Sequence, residues 1–555
     1  MSGGNEPVQR DQANAKPTFQ DYGLKAAMRF LKTAIVIDDE ITAPDENGPS
    51  TDTIVEAPPF TEHVIPIGEP PKAADNSAQV AIKPLADAFL DQQIVCGVLK
   101  PTMADGEEEV ISRAVKAAAV ADIVIIDWYL RKLDNKLALS ILKTILTSDN
   151  NMNGRLRLVI VYTSAIPLHE RCSELAKHLT EAGLNATIDA DDGTLLIVDA
   201  CRIKFTQKKS GTEGVPVEAL PTLAIGEFAR HSSGLLSNFA LLGIAAVRDA
   251  THHILSNLDS RLDPAFVGHR ILLGEAPGAH DFAMSIFMLQ MKSLLSLPMH
   301  LGGALGDSEL VAWLDGRFDY AEADDQLKKL GLNKEKVKAA FANVADKPEK
   351  YHSALFLSDA TKSGIEVGEI EQSVSHEFAR LVTYVREFGG HNPLPPDWLP
   401  ALTLGTVVKL KGQTDRYFLC TQPLCDTVRI TEDRYFPFIE LVEAKADKKT
   451  ENLVIKDGEN CLVVTVSSKA GSRQYEKFQP HVASGSVLAE AVLNKGKSKT
   501  LQGFTFKSKS DHFYWWLGDI DPFKAQRVAV ELSGTLARVG IDEFEWLRRG
   551  GTAKN

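Results

Sequence analysis

The chain has 555 residues, a formal net charge of -13, 44% hydrophobic residues and 24% charged residues. That length holds two to four domains with sizeable cores, and the acidic balance argues against a chain whose main task is gripping polyphosphate. The six cysteines are never paired as CxxC, which suits a reducing cytoplasm, and no apolar stretch approaches the roughly 18 residues that span a bilayer.

The polar opening MSGGNEPVQRDQANAKP has no signal-peptide pattern, so residues 1–19 are expected to be disordered and the chain cytoplasmic, with no membrane contact. From about 20 to 221 strand and helix patterns alternate. Ile35–Ile37 is a short apolar run ending on acid, followed at 43–77 by an acidic loop insertion carrying seven prolines. A helix is expected from Pro84 to about Gln92 and a strand over Ile94–Leu99. "EEEVISRAVKAAAV" reads as a helix with glutamates in its first turn, as the macrodipole favours. A strand at 122–127, a helix at 134–147 and a strand at 156–163 follow. The next helix, "LHERCSELAKHLTEAG", places Leu168, Cys172, Leu175 and Leu179 on one face. Continuous apolar strands between amphipathic helices predict a parallel sheet covered on both faces, with ligands at the carboxyl ends of its strands.

Those ends carry the chemistry. "TAIVIDDEI" runs into Asp38 and Asp39, "ADIVIIDWYL" runs into Asp127, and a third strand ends on Thr163. Three carboxylates converging there would repel one another unless a divalent cation or a cationic side chain joined them. The plain alternative is that these acids cap the following helices.

"VIDDE", "IIDWY" and "VYTSA", in that order with helices between, resemble the receiver domain of bacterial response regulators over roughly residues 25–257. The resemblance implies a doubly wound, five-stranded parallel (flavodoxin-like) α/β domain that accepts a phosphoryl group on Asp127. It implies Mg²⁺ held by Asp38, Asp39, Asp127 and the carbonyl of Tyr129, with Thr163 as the switch hydroxyl. It also implies a lysine after the fifth strand. In "CRIKFTQKKSG" this is taken as Lys208, because Phe205 then falls three residues earlier, where receivers keep the switch aromatic; Lys204 and Lys209 remain candidates. The family's usual proline after the lysine is absent, with Lys209 and Ser210 following instead. Phosphoryl transfer to a carboxylate needs such a set: a nucleophile, a metal site and a fixed cation, here Asp127, the acidic pair and Lys208. Once an acyl phosphate forms, Thr163 would turn to it and Phe205 would turn inward.

Residues 222–258 read as one long helix with Leu235, Phe239, Leu242, Ala246 and Ala250 on a stripe, for packing or for homodimerisation. Residues 259–388 continue as a helical domain, and 389–400 is a proline-rich linker and domain boundary. Residues 401–555 are expected to be β-rich, through "GTVVKL", "YFLCTQP", "DTVRI", "YFPFIELV", "NLVI" and "CLVVTV", with a terminal helix.

Several motifs fail on inspection. "NKGKS" would need glycine at position 491, which is Ala491. "SHEFARL" around His376 resembles a phosphorylated-histidine box, but the usual threonine and proline are missing, and Arg380 stands where HExxH needs its second histidine. Cys420 and Cys425 have no nearby histidine and read as sheet thiols. Lys495, Lys497, Lys499, Lys507 and Lys509 interleave with Phe504, Phe506, Phe513 and Trp515, which reads as solvated lysines over a packed aromatic face rather than as a nucleic-acid site. No independent catalytic motif stands out. The expected partner is a histidine kinase or GHKL-type ATPase, and the large extension loosely resembles receiver-containing chains of bacterial defence or stress loci. Two other readings stay open: an effector whose enzymatic or nucleic-acid-binding C-terminal domain is gated by the receiver, and a scaffold with an unphosphorylated receiver fold.

Overall fold

The computed structural model describes residues 16–41, 82–131, 134–152, 154–273, 276–296, 301, 304–340, 348–390, 394, 397–444, 452–458, 460–467, 473–494 and 500–536. The expected insertion at 43–77 and most of the expected N-terminal disorder lie outside these residues. The chain divides into two compact units, residues 1–262 with 283–319, and 263–282 with 320–555.

The first unit opens with helix α1 (Phe19–Phe30), fixed at its start by a capping box between Thr18 and Asp21, a device worth about 1 kcal/mol. Then come β1 (Thr33–Ile37), α2 (Ile82–Asp91), β2 (Val95–Leu99), α3 (Glu107–Ala118), β3 (Ile123–Ile126), α4 (Lys136–Asn151), β4 (Arg157–Thr163) and α5 (Leu168–Glu181). A hairpin of β5 (Ala186–Ile188) and β6 (Leu195–Val198) leads to β7 (Cys201–Gln207). The sheet order is β2-β1-β3-β4-β7-β6-β5. The first five strands are parallel, while β6 and β5 join antiparallel at the edge.

The expected five-stranded sheet is therefore corrected to seven. β5 and β6 have three and four residues around the polar loop "DADDGT", too short for an apolar run to announce them. β3 and β4 are buried along their whole length, because helices cover both faces. One face packs Trp128, Phe205 and the apolar sides of α3, α4 and α5; the other packs Phe89, Tyr162, Phe228 and Leu241. Even Arg157, at the start of β4, is fully buried. It donates to Asp149 at 2.7 Å and to the carbonyl of Ala118 at 2.6 Å.

The expected single helix over 222–258 is three: α6 (Leu220–His231), α7 (Leu235–Asp249) and α8 (Thr251–Asn257). The break falls at Ser232-Ser233-Gly234, where the Ser232 hydroxyl donates back to the Phe228 carbonyl at 2.9 Å. Serine and glycine there compete with the helical ladder that apolar periodicity alone would continue. Leu242, Ala246 and Ala250 of the expected stripe are buried within this unit, so they are core and not a free dimerising face. Arg248 of α7 donates to the carbonyls of Arg29 and Phe30 at 2.9 and 2.8 Å, closing the end of α1.

In the second unit, short helices lead to the helix Val367–Leu381, which carries His376, and then to β8 (Tyr384–Glu387). The strands β9 (Thr406–Leu410), β10 (Arg416–Cys420), β11 (Arg434–Glu443), β12 (Asn452–Asp457), β13 (Asn460–Val466), β14 (Arg473–Phe478), β15 (Glu490–Leu493), β16 (Leu501–Lys507) and β17 (Phe513–Ile520) follow, before a helix at Pro522–Leu536. All pair antiparallel in the order β12-β13-β11-β10-β9-β17-β16-β15, with β14 on β11 and β8 on β17.

Three expectations change here. Residues 389–400 are not a domain boundary, because β8 before them joins β17 and Trp398 within them packs on the aromatic core of the same sheet. β8 is a four-residue edge strand, too short and polar to read as sheet. The helical block 259–388 is likewise divided between the units, and "DTVRI" forms no strand. The aromatic–lysine pattern is only partly a packed face, since Phe513 is 47% exposed. Phe504 and Phe506 are buried, Lys507 and Lys509 pair with Asp511 and Asp433, and Lys495, Lys497 and Lys499 lie outside the described residues. Cys420 is a buried sheet thiol and Cys425 is exposed. Among the described residues no helix is long and apolar enough to cross a membrane.

Candidate functional site

The ladder of the first sheet runs one residue past its strands, and those residues carry the charges. Asp38 donates its N–H to the Leu99 carbonyl at 3.2 Å, Asp127 to the Ile37 carbonyl at 3.0 Å and Lys208 to the Thr163 carbonyl at 2.8 Å. With their backbones fixed to neighbouring strands, the side chains meet. Lys208 Nζ donates to Asp38 Oδ2 at 2.8 Å and to Asp127 Oδ2 at 2.7 Å, and the three side chains are 3%, 3% and 6% exposed. Burial pulls the Lys208 ammonium down, but the Asp127 and Asp38 carboxylates outweigh it and hold the group above its ordinary value. Burial pushes Asp38 up to about 6, against the pull of Lys208 and with a further push from Asp127.

Asp39 sits closer to solvent. Its Oδ2 accepts the Arg131 N–H at 2.8 Å, while its Oδ1 is buried with no partner among the described residues. Carboxylate oxygens of Asp38, Asp39 and Asp127 lie within 4.8 Å of one another. One lysine cannot neutralise three carboxylates, and an orphaned oxygen in an all-oxygen set suits a hard divalent cation. The residues fit Mg²⁺. The Tyr129 N–H points to Asp127 Oδ1 at 3.4 Å, which places its peptide beside the cluster.

The three candidate lysines separate by surroundings. Lys204 pairs with Asp192 and with the Thr194 hydroxyl, and Lys209 is exposed, so only Lys208 reaches the carboxylates. A closed turn follows Lys208. Lys208 bridges to Val215, Val215 donates its N–H to the Gln207 carbonyl at 2.9 Å, and Ser210 and Glu213 exchange backbone bonds. Gly214 makes the turn possible: its φ is +81°, and a Cβ there would lie 2.4 Å from the Lys208 carbonyl oxygen.

Thr163 is fully buried, and its hydroxyl accepts the Ala165 N–H at 3.1 Å. Phe205 already lies in the interior, its ring edge-on to the buried Trp128 at 5.5 Å. An inward swing from outside is thus not available from this state, and any switching of Phe205 begins from the buried position. Two contributors were not singled out in the sequence. Glu40, two residues past Asp38, brings its carboxylate to 4.0 Å from Lys208 Nζ, and Tyr162 lays its ring 6.0 Å from the same ammonium.

Residues 30–213 match the family model of the response receiver domain. This segment is a receiver domain. The match takes in β1 through β7, including the β5–β6 hairpin, and no family model covers the remainder of the chain. No curated protein and no solved structure matches the chain. The match suggests a response-regulator-type signalling role. Receiver domains typically bind Mg²⁺ through an acidic cluster and commonly interact with histidine kinases.

Proposed function

We propose that the receiver domain accepts a phosphoryl group on Asp127 from a histidine kinase or GHKL-type ATPase, and that the second unit carries the output, in a bacterial defence or stress setting. The observation that supports this best is the bond of one buried lysine to carboxylates from two different strands. It fixes Asp127 rigidly, as an in-line nucleophile requires, and stations a cation where the transferred oxygens would arrive. Asp127 Oδ would attack phosphorus, the bond to the donor would break, and Lys208 would exchange a carboxylate partner for a phosphoryl oxygen. Asp38, Asp39, Asp127 and the Tyr129 carbonyl would hold Mg²⁺, which neutralises charge on the transferred oxygens. Thr163, buried at the end of β4, would turn its hydroxyl from the Ala165 N–H to the new anion, and the Trp128–Phe205 contact lies next to that change. Incubation with acetyl phosphate and Mg²⁺ should add one phosphoryl group that hydroxylamine removes. A chain left unmodified by acetyl phosphate and by a co-encoded kinase contradicts the reading.

A further inference from the structure

The strands of the second unit carry aromatic rings that its cores do not use. Tyr435, Tyr475 and Phe513 are 60%, 61% and 47% exposed, whereas their neighbours Phe436, Glu476 and Tyr514 are buried. Successive residues of a strand point to opposite faces, so one face feeds the core and the other meets solvent. On β14 the inward face holds Gln474 and Glu476, which bond the Tyr514 hydroxyl, and the outward face holds Tyr475 and Lys477. Tyr435 lies opposite Lys477 across the β11–β14 pair, with the Lys477 ammonium 5.7 Å from its ring.

The fold joins this pair to residues distant in sequence. Lys509, in the β16–β17 turn, donates its backbone N–H to the Lys477 carbonyl at 2.8 Å. Two residues earlier, Lys507 pairs with Phe513 across the hairpin and sets its ammonium 5.8 Å from that ring. Trp515 follows on the same face, half-buried, with the Lys411 ammonium 3.6 Å above its ring. Rings and ammonium groups thus follow one another across β11, β14 and the β16–β17 hairpin. Asp511 and Asp433 pair with Lys507 and Lys509 at 3.1 and 3.4 Å, in partly exposed ion pairs that are weak and screened by salt. An ammonium over a ring is also a weak attraction at an exposed site. A ligand bringing both a flat ring and an anion replaces both partners. Single-stranded nucleic acid is such a ligand, since its base faces are open and its phosphates repeat. A duplex keeps its base faces stacked inside, and a neutral glycan brings no anion.

We propose that this track binds single-stranded nucleic acid, with bases stacking on Tyr435, Tyr475 and Phe513 and phosphates meeting Lys477, Lys509 and Lys507. The assignment is independent of phosphoryl transfer to Asp127. Nor does it rest on Phe504 and Phe506, which belong to the core. The chain's net charge of -13 confines the attraction to the track and makes binding salt-sensitive.

The test titrates the full chain into fluorescein-labelled oligo(dT) and oligo(U) of about 20 nucleotides, long enough to cover one such face, and follows anisotropy. Saturable binding to either should weaken with salt, with a log–log slope of about -2, as about three phosphate contacts on a single strand give. Tyr435→Ala, Tyr475→Ala and Phe513→Ala should each raise Kd about fivefold or more, the effect of losing one stacked base. Phe523→Ala, which removes an exposed ring on the terminal helix, should leave Kd unchanged. Lys477→Gln should raise Kd and reduce the slope by about 0.7. Ultraviolet cross-links in the wild-type chain should map to peptides holding Tyr435, Tyr475 or Phe513, which decides the matter if a variant unfolds. No saturable binding to either oligonucleotide overturns the proposal. So does binding that heparin, a polyanion without bases, matches and that the ring variants leave unchanged, since charge alone would explain it. Equal affinity for a duplex, or binding of a neutral cello-oligosaccharide at the same rings, overturns it in favour of another occupant.

Discussion

In the receiver domain, Asp38, Asp127 and Lys208 meet at the ends of parallel strands, Asp39 keeps an unpartnered oxygen, and Asp38 is pushed up to about 6. In the β-rich unit Glu476 and Asp519 instead accept hydrogen bonds from several side-chain donors. Glu476 accepts from the Tyr514 hydroxyl at 3.1 Å, with Gln474 and His512 at 3.4 Å, and Ser508 and Ser510 add hydrogen bonds. Burial alone would raise Glu476, yet these donors hold it below its ordinary value. Asp519 accepts from the Thr406 hydroxyl at 2.9 Å and the Trp516 indole at 3.2 Å. Both units bury charge, but among the described residues only the first crowds three carboxylates within 4.8 Å of one another. A saturated acid fastens a sheet, whereas an undersatisfied cluster is poised to take a cation or a new charged group.

The contrast can be broken by removing one partner at a time. The largest loss of stability is expected for Lys208→Ala, which strands two buried carboxylates without a counter-charge. Urea unfolding in EDTA should show a loss of about 3–5 kcal/mol, and Mg²⁺ should recover part of it. Equal stability with and without Mg²⁺ would mean that the carboxylates do not form one cation site. Next, Glu476→Gln exchanges an acceptor of several hydrogen bonds for an amide whose NH₂ faces donors, at about 2–3 kcal/mol. This variant should still be phosphorylated like wild type; loss of labelling would mean that the β-rich unit shares in the chemistry.

Smaller effects sharpen the same distinction. Gly214→Ala forces a side chain onto the Lys208 carbonyl at positive φ, a strain of about 1–2 kcal/mol. It should also slow labelling, because the turn aims Lys208; normal labelling with lower stability would separate the turn from the site. Asp519 supplies a pH signature. Burial pushes its carboxyl from 3.8 up to about 6, so the folded state binds that proton more tightly than the unfolded chain. Its stabilising contribution is complete below the unfolded value and fades as pH rises through the folded one. The difference in unfolding free energy between wild type and Asp519→Asn should therefore drift by about 2 kcal/mol between pH 4 and 6. A difference that stays flat would show Asp519 to be as ionisable as an exposed acid.

Much of the receiver was legible because its signals are local and redundant. Apolar runs too short for helices end on Asp38, Asp39, Asp127 and Thr163, and parallel sheets collect such ends on one side. Lys208 was less legible: three lysines lie within six residues, and only burial and pairing tell them apart. The β5–β6 hairpin and β8 escaped because three- and four-residue strands leave no periodicity, and their existence depends on the neighbours they pair with. The helix over 222–258 was over-read because its apolar spacing continues in phase across Ser232-Ser233-Gly234. Glu40 was hidden beside an acidic pair of plainer meaning, and its place shows only in its distance to Lys208.

The central claim is that Asp127 is the phosphoryl acceptor, and one paired experiment addresses it. Wild type and Asp127→Asn, which keeps the side chain's volume, are treated with acetyl phosphate and Mg²⁺, then compared by intact mass and by peptide mapping of the hydroxylamine-labile group. Wild type should gain one phosphoryl group on the peptide that contains Asp127, while the folded variant gains none. Equal labelling of the two chains, or a phosphate that maps to another residue such as His376, would contradict it.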